Sequence, residues 1–562
     1  MLGRGFWTPD EPREADISWR MGWQGDKAVP LLAGEAFCEK PPLTYWLAAV
    51  PIRLFGSEAW AARLPNLLYA MITALGAGLL ARRSAGGLAG LVAAAAVSTF
   101  LLSYQVAIWL ATDAPLLAAN AIALLGAYRG FYAADTRERL RGYLLMHAAL
   151  GFGFLSKSAV AWMVPAMAII ALVVWERRWR ELLRWELYLG LLLQAAMIGT
   201  WIWFVYMGTD GPARLKVFFW NNLVGRFTRI DAPNEIQYAA AHRNFPGKYL
   251  IELPLYLAPW TFLVIAALRR AWRQRTASAD GHRLVRFAIA ASLPPLVILS
   301  LAATARNIYF APALPGVALL LAWWSREIAA RAERWDVSAL RATAGLLILG
   351  VLIFAGALGL IAADAWSRID SHAEFIVISA VGLAAAAALA LRAWTAARER
   401  VLRAEWSLLL AYCVLLVGPA SQIYRQVDAW QDLGTIARAI QHDAAGKPLI
   451  LFAPDETTRA MIDMYARTDP GVVPGPIDAA AIDRLRAAAG AAPQSLVVVQ
   501  LPAHARALSQ ELGQRLGLRH GPPAQPPDAD APRWAAAAGL RLATTYSLPH
   551  GRRYALLERQ PQ

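Results

Sequence analysis

The sequence predicts an α-helical polytopic membrane protein with about 12–13 spans and a C-terminal α/β domain. Three observations predict it. Of 562 residues, 57% are apolar or aromatic and only 17% are charged, against roughly 25% charged in an average soluble domain. One soluble core stops growing at roughly 250–300 residues, so that excess cannot be buried in water. The apolar residues gather in twelve runs, most near the length that crosses hydrocarbon. Arginines then collect in every second loop between the runs, which sets orientation by the positive-inside rule. These features exclude a disordered chain, a collagen-like fibre and a soluble single-domain enzyme. The net charge of +15 is spread over short loops, not gathered on one face as a nucleic-acid binder would have it.

Residues 1–60 read as a long outward loop with helices lying at the membrane surface. WTPDEPREADISWRMGW opens a helix with Thr8 or Asp10 as cap and Pro12 in the first turn. Trp46, Leu47, Val50 and Leu54 are spaced for a second helix on the bilayer surface. Asp10, Glu11, Arg13, Glu14, Asp16, Glu39 and Lys40 fall in this loop. Carboxylates beside a membrane are costly unless solvated or paired, so the cluster reads either as a solvated juxtamembrane helix or as an active site next to a lysine.

Residues 61–423 hold the twelve runs, near 61–81, 86–105, 108–128, 143–156, 159–175, 187–206, 252–268, 285–303, 308–324, 340–363, 373–391 and 406–423. The alternate loops, from Arg82–Arg83 to Arg392–Arg403, carry 24 arginines and are read as cytoplasmic. All six lysines (Lys27, Lys40, Lys157, Lys216, Lys248 and Lys447) fall on the opposite side. That split suits positions needing a compact ammonium, or reflects chance in an arginine-biased chain. Asp113, in AIWLATDAPLLAAN, sits between two runs at the same level as Asp10, as a helix cap or a functional acid.

Residues 424–562 change character. KPLILFAPDE reads as a strand entering a loop, TTRAMIDMYAR as a helix, SLVVVQL as a strand and RALSQELGQRLG as a helix. RLATTYSLPHGRRYALLERQ reads as a hairpin turning near His550–Gly551, and 520–532 as a flexible loop. The two cysteines, Cys38 and Cys413, make no disulfide framework, and no GxGxxG, P-loop or HExxH motif occurs.

DEPREADISWRM followed by EKPPLTYW resembles the first outward loop of the bacterial aminoarabinose transferases, within the protein O-mannosyltransferase-like GT-C glycosyltransferases. TDAP at 112–115, GFLSKSAV at 153–160, NNLVGRF at 221–227, HRNFPGKYL at 242–250 and ARNIYFAPALP at 305–315 extend the likeness over about residues 6–425. Glu14 stands where the family has an aromatic, Asp16 where it has Glu, and Ser158–Ala159 where Gly-Pro is common. The resemblance implies thirteen spans with the catalytic loop after the first, so an apolar helix is expected in upstream coding sequence.

It also implies transfer of a sugar from an undecaprenyl-phosphate donor to lipid A or another envelope acceptor, with inversion. The protein would be a monomer in the bacterial inner membrane, with active site and tail in the periplasm. Asp10 and Asp113 are the expected catalytic acids. Lys40, Arg226, Arg306 and Tyr309 are expected at the donor phosphate, with snorkelling, or an ion pair of Arg226 with Asp231, as the plainer readings. Glu11, Arg13 and His242 are expected to contact acceptor or sugar. Glu39 and His242 are the two candidate ligands for zinc, and no other cofactor is called for. A protein hydroxyl is the alternative acceptor. A polyprenyl-lipid flippase is the rival from another class, disfavoured because the runs lack midspan charges and matching halves.

Overall fold

The structure, a computed structural model, describes residues 2–24, 27–226, 244–274, 282–302, 306–466, 470–501, 532, 534–548 and 552–560. The first segment folds as α1 (Asp10–Trp23), a short hairpin of β1 (Leu31–Leu32) and β2 (Glu35–Ala36), and α2 (Leu43–Phe55). α2 buries Tyr45, Ala48, Ala49 and Ile52 and leaves Val50, Leu54 and Phe55 exposed, the apolar outer face expected of a surface helix.

The helical body follows as α3 (Ala59–Ala85), α4 (Gly87–Thr99), α5 (Leu101–Ile108), α6 (Asp113–Phe131), α7 (Thr136–Lys157), α8 (Val160–Glu176), α9 (Trp185–Met207) and α10 (Gly211–Lys216). It continues with α11 (Lys248–Tyr256), α12 (Thr261–Arg273), α13 (Arg283–Leu301), a 3-10 segment Asn307–Ala313, α14 (Leu314–Ala330), α15 (Arg334–Ala365), α16 (His372–Ala396) and α17 (Val401–Val417). Among the described residues, the twelve apolar runs fall mainly on these helices. Among the described residues, eight helices pass on length and hydropathy as membrane spans, or up to ten if each bent pair is one span. α7 is long enough but too polar, with Arg137, Glu138, Arg139, Arg141, His147 and Lys157 along it, and α8 has only 17 residues.

Two runs read as single spans are broken. α4 and α5 meet at 65°, and α11 and α12 at 112°. The breaks brace each other: the Leu101 amide donates to the Ala258 carbonyl at 2.9 Å, and Trp260 Nε1 donates to Thr99 Oγ1 at 2.9 Å. Backbone groups freed by a bend inside an apolar body need such partners.

α6 and α7 form the hairpin that matters for the site. A Cβ on Gly126 would lie 2.5 Å from the Met146 nitrogen, and one on Gly142 would lie 2.4 Å from the Gly130 nitrogen. Glycine is thus required for this close approach. Antiparallel packing sets the first residue of α6, Asp113, beside the last of α7, Lys157.

The tail adds α18 (Pro419–Asp428), α19 (Leu433–Ala444), β3 (Leu449–Phe452), α20 (Glu456–Ala466), β4 (Gly471–Val473), α21 (Ala479–Ala491), β5 (Leu496–Leu501), β6 (Leu540–Ser547) and β7 (Arg553–Arg559). The sheet order is β4-β3-β5-β7-β6, parallel through β5 and antiparallel beyond. β3 and β5 are almost wholly buried, as strands covered on both faces must be, and edge strand β6 alternates. Both predicted strands, the helix predicted in TTRAMIDMYAR (here α20) and the hairpin are present; α19, β4 and α21 lie beyond that expectation. The predicted helix in RALSQELGQRLG, the His550–Gly551 turn and nearly all of 520–532 lie outside the described residues. The N-terminal segment is no independent unit: Phe6, Ala15 and Trp19 share one apolar core with Leu433, Ile436, Met461 and Val498 of the tail.

Candidate active site

α1 starts with Asp10 and Glu11 in its first turn, where the helix dipole favours anions. Pro9 stands at the N-cap without a side-chain cap, and the Thr8 hydroxyl instead meets Gln431 at 3.0 Å. The expected Thr8 or Asp10 cap is therefore corrected.

Three faces of α1 do different work. Glu11 points into the protein and is fully buried. It accepts from Arg4 at 2.5 and 3.1 Å, from Arg63 at 3.0 and 3.0 Å, and from the amides of Leu110 and Trp7 at 2.8 and 2.9 Å. Its expected contact with acceptor or sugar is corrected: a carboxylate with six donors on it and no exposure is a structural hub. Arg13 leans toward the tail, with Nε 2.9 Å from Glu456. Burial pulls its guanidinium down, but Glu456, Glu39, Glu14 and Asp10 together hold it above its ordinary value.

Asp10 and Glu14, one turn apart, share the third face. Asp10, 30% exposed, lies 3.4 Å from Arg306, which is 51% exposed. Glu14 is paired with Lys40. Burial lowers the Lys40 ammonium, but Glu14 and Glu39 outweigh it and raise it overall, so it stays charged. Burial and the neighbouring Glu14 push the Tyr45 phenol well above its usual value.

Arg306 opens the 3-10 segment, and its carbonyl accepts from the Tyr309 amide at 3.0 Å and from the Tyr249 hydroxyl. One turn on, the Tyr309 ring lies 5.0 Å from the Lys157 ammonium, which is itself paired with Asp113. A continuous line results: Lys40–Glu14, Asp10–Arg306, Tyr309, Lys157–Asp113. It brings together five predicted residues (Asp10, Asp113, Lys40, Arg306 and Tyr309) from four stretches of chain. Three cation–carboxylate pairs line a partly open edge, an arrangement that can hold a phosphate and leave a carboxylate beside the carbon it carries.

The sequence reading missed Lys157 and Glu14 as site members. The signal for Lys157 was present, since a lysine stood alone at the end of a run where the loops use arginine. Ser158, just after it, has φ 66° and ψ −160°, a region nearly reserved for glycine. Arg226 ends a 3-10 turn, Val224–Arg226, and its side chain lies outside the described residues, as do Asp231 and His242. Among the described residues no group of three His, Cys, Asp or Glu could hold a metal ion.

Comparison with known proteins adds independent findings. The family model for dolichyl-phosphate-mannose-protein mannosyltransferases matches residues 39–204. The undecaprenyl phosphate-α-4-amino-4-deoxy-L-arabinose arabinosyl transferase of Pseudomonas paraeruginosa is 30% identical over 422 residues, covering 73% of this chain and 72% of that one. The protein of the same name from Erwinia tasmaniensis is 30% identical over 330 residues, covering 58% of this chain and 56% of its own. In fold, the chain is similar to the crystal structure of ArnT from Cupriavidus metallidurans, with a TM-score of 0.67 at 18% identity over 99% of this chain and 94% of that one. The same protein bound to undecaprenyl phosphate gives 0.66 over the same shares.

Proposed function

The chain belongs to the undecaprenyl phosphate-α-4-amino-4-deoxy-L-arabinose arabinosyl transferase family of membrane glycosyltransferases, and from that premise we propose that it moves aminoarabinose from undecaprenyl phosphate to lipid A at the periplasmic face of the inner membrane. The observation that carries the reading is the half-open Asp10–Arg306 pair, one turn of chain from Tyr309 and the Lys157–Asp113 pair.

The acceptor oxygen attacks the anomeric carbon as the bond from that carbon to the phosphate oxygen breaks. The electron pair leaves with undecaprenyl phosphate, whose charge grows by one. Arg306, Lys157 and Lys40 are the cations set to take up that charge. Attack from the face opposite the leaving group inverts the centre. A lipid A phosphate is already anionic, so Asp10 then orients it or steadies positive character on the anomeric carbon. With a hydroxyl acceptor, Asp10 takes the proton. Asp113, beside Lys157, holds a sugar hydroxyl or the sugar's amine in this scheme. The scheme draws its positive charge from side chains, so EDTA should leave turnover within about twofold.

The test is a mass spectrum of envelope lipids from cells with the chain present, deleted, or changed at Asp10→Asn. A pentosamine-sized mass on lipid A should vanish in both altered strains. An amino sugar also removes negative charge from lipid A, so survival in polymyxin should fall in parallel. A mass change on deletion that Asp10→Asn leaves intact would remove Asp10 from the reaction. The match of residues 39–204 to protein mannosyltransferases favours one alternative acceptor, a protein hydroxyl; a hexose-sized loss on proteins would select it.

A further inference from the structure

Nothing in the reaction above uses the tail, yet the tail grips the segment that bears Asp10 at points from Gly5 to Arg20. At the N-terminal end, Asp428 accepts from the Gly5 amide at 2.9 Å and from Trp7 Nε1 at 2.7 Å. In the middle, Arg13 meets Glu456 of α20. At the C-terminal end lies the most buried contact. Arg20 Nε reaches both oxygens of Asp16 at 3.0 and 3.1 Å, and Arg20 Nη2 reaches Asp463 of α20 at 2.9 Å. These three side chains are at most 4% exposed. Asp16 also accepts from the Ala33 amide at 2.6 Å, which ties in the β1–β2 hairpin.

A buried guanidinium shared by two carboxylates has few geometries open to it, because the planar fork fixes angle as well as distance. Removing Asp463 leaves the buried Arg20 Nη2 without its acceptor and cuts the tie from α1 to α20, so the triad holds its elements in one register. α1 carries Asp10 toward Arg306 and Glu14 toward Lys40. A roll or slide of α1 would move both pairs, and catalysis is sensitive to displacements near 1 Å.

We propose that the C-terminal domain is a positioning element of the active site, with Asp463 as its positioning residue, holding Arg20 and thereby fixing α1 so that Asp10 faces the reacting centre. The proposal rests on Asp10 acting in the transfer step. It assigns no contact with substrate to Asp463, Arg20 or Asp16.

The test uses the full-length detergent-solubilised protein with an undecaprenyl-phosphate aminoarabinose donor. Asp463→Asn should lower kcat at least tenfold, leave the donor KM and the binding of undecaprenyl phosphate within twofold, and keep a monodisperse elution profile. Asp463→Glu should recover part of that loss. Arg459→Ala, which breaks the partly exposed Arg459–Glu35 pair at the same interface, should leave kcat unchanged. If Asp463→Asn does not fold, the triple variant Asp16→Asn, Arg20→Gln, Asp463→Asn removes all three buried charges, should fold, and should show the same kcat deficit. A folded Asp463→Asn, or a folded triple variant, with wild-type kcat would overturn the proposal. Equal loss in Arg459→Ala would also overturn it, since any loosening of the interface would then suffice. An Asp10→Asn enzyme with full activity would instead fail the underlying assignment of Asp10.

Discussion

Glu11 offers the clearest separation of structure from chemistry, because sequence reading and structure assign it opposite roles. Its carboxylate receives six hydrogen bonds, four of them from Arg4 and Arg63. Both guanidiniums and the carboxylate are nearly or fully buried. With Glu11 ionised the cluster carries one net positive charge; Glu11→Gln makes it two, and turns an amide N–H₂ toward groups that only donate. Removing one partner of a buried pair costs about 3–5 kcal/mol, chiefly through the charge left behind. The Leu110 amide, at the corner before α6, loses its acceptor too. Glu11→Gln should therefore lower expression and the apparent melting midpoint in detergent, while the fraction that elutes as folded protein keeps donor KM within about threefold; any fall in kcat should accompany the fall in melting midpoint, because the same hub anchors α1. The assay is scanning fluorimetry on the purified variant, with activity normalised to the folded peak. A Glu11→Gln protein that melts like wild type but has lost turnover would refute the structural assignment and return Glu11 to the acceptor site.

Three further outcomes follow from the same geometry. Lys157→Met removes the ammonium beneath Tyr309; one charge-assisted contact is worth about 1.5–3 kcal/mol, so the donor KM should rise about 10- to 100-fold by steady-state titration, and an unchanged KM would place the phosphate elsewhere. Asp16 is pushed by burial from its usual 3.8 to about 6, despite Arg20 and the Ala33 amide. A raised folded pKa gives stability fully present below about 3.8 and lost as pH rises through about 6, about 3 kcal/mol in all. Asp16→Asn should therefore gain on wild type in melting midpoint between pH 4 and pH 8, and a pH-independent difference would count against the buried carboxyl. Ser158→Gly should raise the melting midpoint with turnover retained, since a side chain in that backbone region costs about 1–3 kcal/mol; no rise would mean the α7 terminus relaxes elsewhere.

The helical body was legible because its signal is local. Each run needs only its own apolar length, and each loop only its arginines, so the twelve runs appear mainly as helices. The bends at Thr99–Leu101 and Tyr256–Thr261 were not legible. They depend on Leu101 finding Ala258 and Trp260 finding Thr99, partners about 160 positions apart that no periodicity encodes. The tail divides the same way. The apolar β5 announced itself, whereas the three-residue β4 is defined only by pairing with β3.

The site shows the limit more sharply. Asp113 could be singled out between two apolar runs, and Asp10 and Lys40 in a charged outward loop, where such groups are costly and need a reason; Arg306 and Tyr309, and the roles of all five, came from the family resemblance. Which acid met which cation depended on the third dimension. The expected phosphate cations are already paired in this structure: Lys40 with Glu14, Arg306 with Asp10. In the proposed reaction those pairs are not redundant with substrate binding. A cation held by a carboxylate at the edge of a bilayer keeps its charge and orientation before the donor arrives, and an incoming phosphate competes for it. Donor binding would then free Asp10 from Arg306 as it fills the site, placing an unpartnered carboxylate beside the anomeric carbon only when the sugar is there to use it.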